Sequence, residues 1–322
     1  MLTFLLRRLL ALVPLMLVIS FLTFVLLNAS SGDYLTRLLD NPAVSEEHIE
    51  ALRSQYGLDR PFIERYGLWL WNAVHGELGR SFEYNRDVAD LIFERLRNTL
   101  LLAFAALIFS WGLAIPLGVL SAVKQGSWVD KAAGFIAYFG LSIPRVFLAL
   151  LAVMFAAKTD WFPIGGIRDE VRWDDFTTWE RVVDVAWHLF LPTVVLGITN
   201  MAGYMRQMRG STLETLAQDY VRTARAKGLP ERSVLFKHTV RNAINPLVTL
   251  FGYSLAYLIT GSFLVEVVMA WPGMARLTLN ALLNKDSHLV MAAVMMASIM
   301  LVLGNLVADL LLAAVDPRIR VE

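Results

Sequence analysis

The sequence predicts an all-α polytopic membrane protein with six transmembrane helices, and three observations carry that expectation. The 322 residues are 57% hydrophobic with a mean hydropathy of +0.54, too apolar for an ordinary water-soluble domain. Six stretches, roughly 9–27, 99–121, 132–157, 188–204, 247–266 and 289–313, are long enough to cross a bilayer's hydrocarbon core. Charge inside them is confined to Arg145 in the third, Asp309 in the sixth and Glu266 at the edge of the fifth.

The first stretch follows Arg7 and Arg8. Leu9 to Leu27 is uncharged, longer than the apolar core of a signal peptide, and no small-residue cleavage site follows, so it reads as a retained helix. Residues 28–98 form a long segment with helical content. SEEHIEALRSQYG places Ser45 as N-cap, acids in the first turn and Gly57 at the end. In PFIERYGLWLWNAV, Pro61 opens a helix that sets Phe62, Tyr66, Trp69 and Ala73 on one stripe, with Trp71 off it. The second span holds Pro116 and several small residues, Gly118 among them, that permit close helix approach. The third holds Pro144 and Arg145 near its middle, where a charge is costly unless it meets water or a partner. Residues 158–187 are acidic and rich in Trp. Asp169, Glu170, Asp174 and Asp175 lack calcium-loop spacing. The fourth span, the weakest, is interrupted by Pro192, Asn200 and Gly203, and ends in a run carrying Met205, Met208, Arg206 and Arg209.

Between the fourth and fifth spans lies DYVRTARAKGLPERSVLFKHTVRNAINP, Asp219 to Pro246. Tyr220 to Lys227 reads as a helix ended by Gly228, a residue that takes a left-handed turn at little cost, with Pro230 blocking continuation. Glu231 to Asn242 reads as a second helix leading to Asn245-Pro246 and the next span. Arg222, Arg225 and Lys227 give the first helix its charge. Tyr220 and Ala224, four apart, give it an apolar face.

RTARAKG, the later HTVRNAINP, and the terminal DPRIR resemble bacterial ABC-importer permeases of the dipeptide, oligopeptide and nickel branch. GLDRP, YGLWLW and GELGRS resemble the B-type subunit of that branch. The resemblance spans nearly the whole chain and implies the type I ABC importer permease fold. Arg222, Thr223 and Ala224 stand where the wider family has Glu-Ala-Ala, His238 stands at its Ile and Arg241 at its Pro. These departures suit the peptide branch. The resemblance implies that the loop of about 205–246 couples the permease to an ATPase. The coupling residues are then Tyr220, Arg222, Thr223, Ala224, Arg225, Ala226, Lys227 and Gly228. It divides the chain into a first helix with an external segment (1–98) and a core permease domain (99–322). The implied partners are a second homologous permease, two cytoplasmic ATPase subunits, an external solute-binding protein and membrane lipid. The implied location is the bacterial inner membrane.

Pathway candidates are Pro144, Arg145 and Glu266. After Ser-Ile-Pro the family carries a small polar or apolar residue, so Arg145 is a departure that could meet an anionic group of the cargo. Six spans put both termini on one side. With that side inside, inner and outer segments carry 14 Lys and Arg each, but over 69 residues inside and 123 outside, while acids number 6 and 20. The denser basic charge places the termini in the cytoplasm.

Several function classes are disfavoured. There is no Cys, hence no disulfide scaffold or thiol nucleophile. No phosphate-cradling G-x4-G-K-[ST] and no H-E-x-x-H occur, so hydrolysis of ATP is expected in partners, with no cofactor or metal on this chain. A net charge of +1 with no basic block argues against nucleic acid. The alternative is an ion-coupled secondary transporter or channel, for which only Asp309 and Glu266 could serve as intramembrane acids. The cargo stays open between dipeptides, oligopeptides, nickel and oligosaccharides.

Overall fold

The computed structural model describes residues 2–29, 46–55, 59–248, 250–251, 254 and 261–315. Its elements are helices. The sole bridge of β type among the described residues joins Arg80 and Asp87. In chain order they are α1 (Leu2–Ala29), α2 (Glu46–Gln55), α3 (Phe62–Val74), α4 (Val88–Val123), α5 (Trp128–Ser142), α6 (Arg145–Thr159), α7 (Thr178–Leu216) and α8 (Asp219–Ala226). Three short pieces follow, Glu231–Ser233, Val234–Val240 and Arg241–Ala243. Then come α9 (Phe263–Val268), α10 (Met274–Leu283) and α11 (Ser287–Val315).

Among the described residues, α1, α4, α7 and α11 are each long and apolar enough to cross a membrane. The pair α5 and α6 makes a fifth crossing if it is counted as one. The expected fifth span, 247–266, falls partly outside the described residues, and Ser45, Gly57, the side chain of Asp309 and the Asp316–Arg320 motif lie outside them. Large side chains such as Phe104, Ile108, Phe135 and Phe147 lie exposed on these helices, an apolar surface suited to lipid rather than water.

One expectation is corrected, and two helices run longer than the spans predicted. The third span is not continuous: α5 stops at Ser142, α6 starts at Arg145, and the two axes differ by 102°. Pro144 supplies no backbone donor and sits as the N-cap of α6, so the helix cannot run through it. The fourth span is the least apolar of the four long crossing helices, as expected, yet it lies in the longest helix described, 39 residues or about 58 Å. Pro192 lies inside it. Its start is fixed by a capping box in which Thr177 and Glu180 satisfy each other's backbone amides. Residues 88–98, expected in the outer segment, belong to the same helix as the second span.

The chain forms two compact units, 1–98 with 272–302, and 99–271 with 303–322. In the first, the predicted stripe is the buried one. Trp69 packs with Phe24 and Met291, and Phe62, Tyr66 and Ala73 close around them, while Trp71 is exposed. Tyr66 hydroxyl meets Ser20 Oγ at 2.9 Å. Buried Asp286 accepts from Ser81 Oγ at 2.6 Å and from the backbone of Glu83 and Leu289.

In the second unit Leu102, Ala106, Ala149, Leu196 and Trp271 form the central cluster. Here α4 and α7 touch through small residues. A Cβ on Gly118 would stand 2.7 Å from Met208 Cβ and 2.8 Å from the Met205 carbonyl oxygen. Ser110 Oγ donates to the Gly197 carbonyl across the same pair at 2.9 Å.

Candidate functional site

The polar stretch after α7 folds as a short basic helix with a defined stop. Gln218 precedes α8 without a side-chain cap, and Asp219 places its carboxylate in the first turn, where the helix dipole favours it. At the far end Gly228 takes φ +74°, its N–H bonds to the Arg225 carbonyl (2.9 Å) and Leu229 N–H reaches back to the Ala224 carbonyl (3.4 Å). This is the six-to-one, five-to-two pattern of a glycine-terminated helix, and Pro230 seals it.

One face of α8 is buried, but not the one expected. Val221 and Ala224 are 0% and 6% exposed and pack on Val234, whereas Tyr220 is 44% exposed. Residues 221 and 224 are three apart and 220 and 224 four apart, so both pairs suit a helix face. The fold selects the first pair because Val234 meets it. Ala224 is therefore an inward anchor rather than part of an outward apolar face. Tyr220 hydroxyl accepts from Asn242 Nδ2 at 3.2 Å, tying α8 to the segment that follows.

The remaining coupling candidates point outward. Arg222, Thr223, Arg225, Ala226, Lys227 and Gly228 are all exposed. Arg222 lies 3.6 Å from Asp219, and Thr223 Oγ1 donates to the Asp219 carbonyl. Arg225 grips Glu231 with two hydrogen bonds, 2.8 and 3.4 Å, across the Gly-Leu-Pro turn. These exposed pairs orient side chains more than they stabilise the fold.

The second helical run differs from the plain α-helix expected. Val234–Val240 is π-helical, and Thr239 Oγ1 donates to the Val234 carbonyl five residues back at 3.1 Å. Beyond it Ala243 and Leu247 are buried against Met208 of α7 and Val119 of α4. The π-helical piece thus touches both sides: Val234 packs on α8, while Leu235 and Val240 pack against the cluster of Ala243, Leu247, Met208 and Val119. Leu229 and Phe236 are 39% and 59% exposed beside α8. Sequence reasoning missed both. The signal available was apolar side chains within an otherwise basic loop.

A second polar cluster fixes the end of α4 against α5 and α7. Arg209 donates to both carboxylate oxygens of Asp130 at 2.8 and 2.9 Å, Ser121 Oγ bonds the same carboxylate, and Gly126 N–H completes it at 2.9 Å. Arg206 stacks over the Tyr138 ring at 5.3 Å.

The pathway candidates are placed as follows. Pro144 forms the corner between α5 and α6. Arg145, first residue of α6, donates to Asn200 Oδ1 at 3.0 Å and to the Gly261 carbonyl at 3.3 Å. Glu266 on α9 is fully buried and accepts from Thr99 Oγ1 at 2.8 Å and Ser262 Oγ at 2.9 Å. Each charge therefore has hydrogen-bond partners within the second unit.

Residues 114–321 match the family described as "Binding-protein-dependent transport system inner membrane component", and residues 1–103 match the corresponding N-terminal family. The chain is similar to the oligopeptide transport system permease protein AppB of Bacillus subtilis, 39% identical over 321 residues and 99% of each chain. It is also similar to the dipeptide transport system permease protein DppB of Escherichia coli K12, 36% identical over 337 residues and 99% of each chain. Among solved structures, its fold resembles a chain of the MetNI methionine ABC transporter in inward-facing conformations. The TM-score is 0.55 at 18% identity, with 70% of this chain and 96% of that one covered.

Proposed function

The chain belongs to the family of inner membrane components of binding-protein-dependent transport systems, and from that premise we propose that it forms a pathway for peptides and is driven through α8. Family membership makes it a multi-pass inner-membrane permease subunit. It is a non-catalytic component that works with separate ATPase and solute-binding subunits, not an ion-coupled carrier.

The observation that carries the peptide assignment is similarity running from end to end of two permeases named for oligopeptides and dipeptides. Peptides are the cargo class, a second homologous permease completes the pathway within the lipid bilayer, and both termini face the cytoplasm. Denser basic charge in the segments assigned to that side supports this orientation.

Within that frame α8 is the contact with the ATPase. Closure of the ATPases around nucleotide must favour one permease conformation over another. A helix that is held inward by Val221 and Ala224 and shows Arg222, Arg225 and Lys227 outward is shaped to receive that push. Val234 packed on α8, and Leu235 and Val240 packed on the Ala243, Leu247 and Met208 cluster, give the push a route through the π-helical piece. Pro144 and Arg145 at the bend, with Glu266, are the residues of this chain proposed to line or frame the pathway.

The test is reconstitution in proteoliposomes with the ATPases and binding protein. ATP-dependent uptake of labelled peptide is expected, and uptake of nickel or an oligosaccharide in its place would overturn the cargo assignment. Gly228→Val forces a β-branched residue into a left-handed turn. It is expected to leave the complex assembled and hydrolysing ATP while uptake falls about tenfold or more, a ratio equal to about 1.4 kcal/mol of lost coupling. Normal uptake by that variant would remove α8 from the mechanism. Because the chain has no Cys, single cysteines at positions 171 and 227 report sidedness directly. An impermeant maleimide is expected to label the first from outside and the second only from inside.

A further inference from the structure

The stretch that leads from α8 back to the membrane helices is buried on one side and basic on the other. Val234, Thr239 and Ala243 are buried. Arg232, Phe236, Lys237 and Arg241 are exposed. Their spacings of four and five residues fit one stripe along a helical run whose middle is π-helical. Among the described residues no acid pairs with Arg232, Lys237 or Arg241, and Glu231, the nearest acid along the chain, is held by Arg225 at 2.8 Å. Phe236, next to Lys237, keeps its ring 59% exposed. The stripe thus sets one apolar ring among three cations that carry no counter-charge of their own.

Packing fixes the height of this stripe. Ala243 and Leu247 are buried against Val119 of α4 and Met208 of α7. Val119 and Met208 lie within two residues of Ser121 and Arg209, which both close on Asp130 at the polar end of α4. Trp128, two residues from Asp130, is 81% exposed, and exposed tryptophan suits the headgroup level. The polar rim of these helices is therefore level with Ala243 and Leu247. Arg241 lies within one turn of that rim, and Lys237 about 6 Å further along the helix. The headgroup layer outside the hydrocarbon is itself about 5 to 8 Å deep.

We propose that Lys237 and Arg241, with Phe236 beside them, bind the phosphate of an anionic phospholipid. An ammonium and a guanidinium give charge-assisted hydrogen bonds to phosphate oxygens. Next to an anionic leaflet each such cation raises affinity about fivefold. Phe236 offers its ring to the acyl boundary, as the apolar residues of interfacial helices do. Arg232 lies about two turns beyond Arg241, where screening weakens attraction to the leaflet. The inference needs only that the helices span a membrane and stands whether or not α8 meets the ATPase.

The test is native mass spectrometry of the assembled transporter from detergent micelles doped with phosphatidylglycerol or phosphatidylcholine. Wild type is expected to retain phosphatidylglycerol in preference. Arg241→Gln and Lys237→Gln should each lower its retention about fivefold, and Arg232→Gln by about twofold at most. Arg241→Lys and Lys237→Arg keep the charge and should stay close to wild type. Retention of phosphatidylcholine should be the same throughout, and thermal melting in detergent checks that each variant folds. Equal phosphatidylglycerol retention by wild type and both Gln variants would overturn the site. Equally tight binding of glycerol phosphate, a headgroup without acyl chains, would make the ligand a soluble phosphate and overturn the lipid assignment. A reversed order, with Arg232→Gln shedding the ATPases on size exclusion while lipid retention holds in all three Gln variants, would give the stripe to the ATPase surface instead.

Discussion

The loop at 160–177 and the basic segment at 219–246 are both polar and both connect membrane helices, yet they use their charges differently. In the loop Arg168, Asp169, Glu170 and Arg172 all close on neighbours. Arg168 and Arg181 both lie over the Trp173 ring, at 5.0 and 5.3 Å, and Arg168 also holds Glu170 by two bonds. Asp169 collects the Arg172 side chain and the amides of Val171 and Arg172, and its own amide donates to Asp184. Phe162 stacks on Trp187 and Phe190. In the basic segment, α8 has eight residues, of which two are buried, and most of its polar side chains look outward. An isolated helix of that length would not persist in water. It persists here because three small apolar side chains and one glycine stop hold it. The loop turns its charges on itself, and the helix leaves most of its polar side chains exposed.

The largest break in that contrast is expected from Val221→Asp. It puts a carboxylate into the three-residue contact with Ala224 and Val234, at a cost of a few kcal/mol. Uptake should be lost, and trypsin should cut faster at Arg222 and Arg225. Unchanged proteolysis would show that the contact does not hold α8. Next comes Asp130→Asn, which strips the charge from the carboxylate that Arg209 holds with two bonds. The loss of charge-assisted bonding is about 1–3 kcal/mol, visible as a lower apparent melting temperature in detergent. Arg225→Gln should be smaller for the fold, about 0.2–1 kcal/mol, since its bridge to Glu231 is exposed. ATPase co-purification should drop severalfold nonetheless. Equal co-purification would make that bridge purely local.

The smallest effect belongs to the loop. The amides of Arg172 and Val171, and then the Arg172 side chain, hold the Asp169 carboxyl below the usual carboxylate range. For a lowered folded pKa, the stabilisation is present above the unfolded value and drains away as pH falls through the folded one. Hydrogen exchange at Val171 and Arg172 should therefore stay protected through ordinary carboxylate titration and speed up only at lower pH. Asp169→Ala should remove that protection at every pH and leave uptake within twofold or so, because the loop's other contacts remain.

What the sequence disclosed follows what local chemistry decides. The stop at Gly228 and Pro230 was readable because a left-handed turn followed by proline has few other meanings. The buried stripe of Phe62, Tyr66, Trp69 and Ala73 was readable from spacing alone. The buried face of α8 was not readable, because Tyr220 and Val221 both suit a face with Ala224, and only the position of Val234 separates them. The π-helical turn at Val234–Val240 carries no local signature, since a wide turn is stabilised by its surroundings. Pro144 was seen, but a proline inside an apolar run does not say whether the chain kinks or turns through 102°. Pro192 shows the opposite outcome, lying within an unbroken helix. Arg145 illustrates the limit for sites: its residue type announced an expense, and only the fold revealed that Asn200 and the Gly261 carbonyl share it.

One consequence of the glycine contact between α4 and α7 remains. With Gly118 against the Met205 carbonyl and Met208, and Ser110 bonded across to Gly197, these two rods have no slack in which to slide or roll past each other. They must travel as a single strut throughout any transport cycle, so the joints that open and shut the protein have to lie elsewhere.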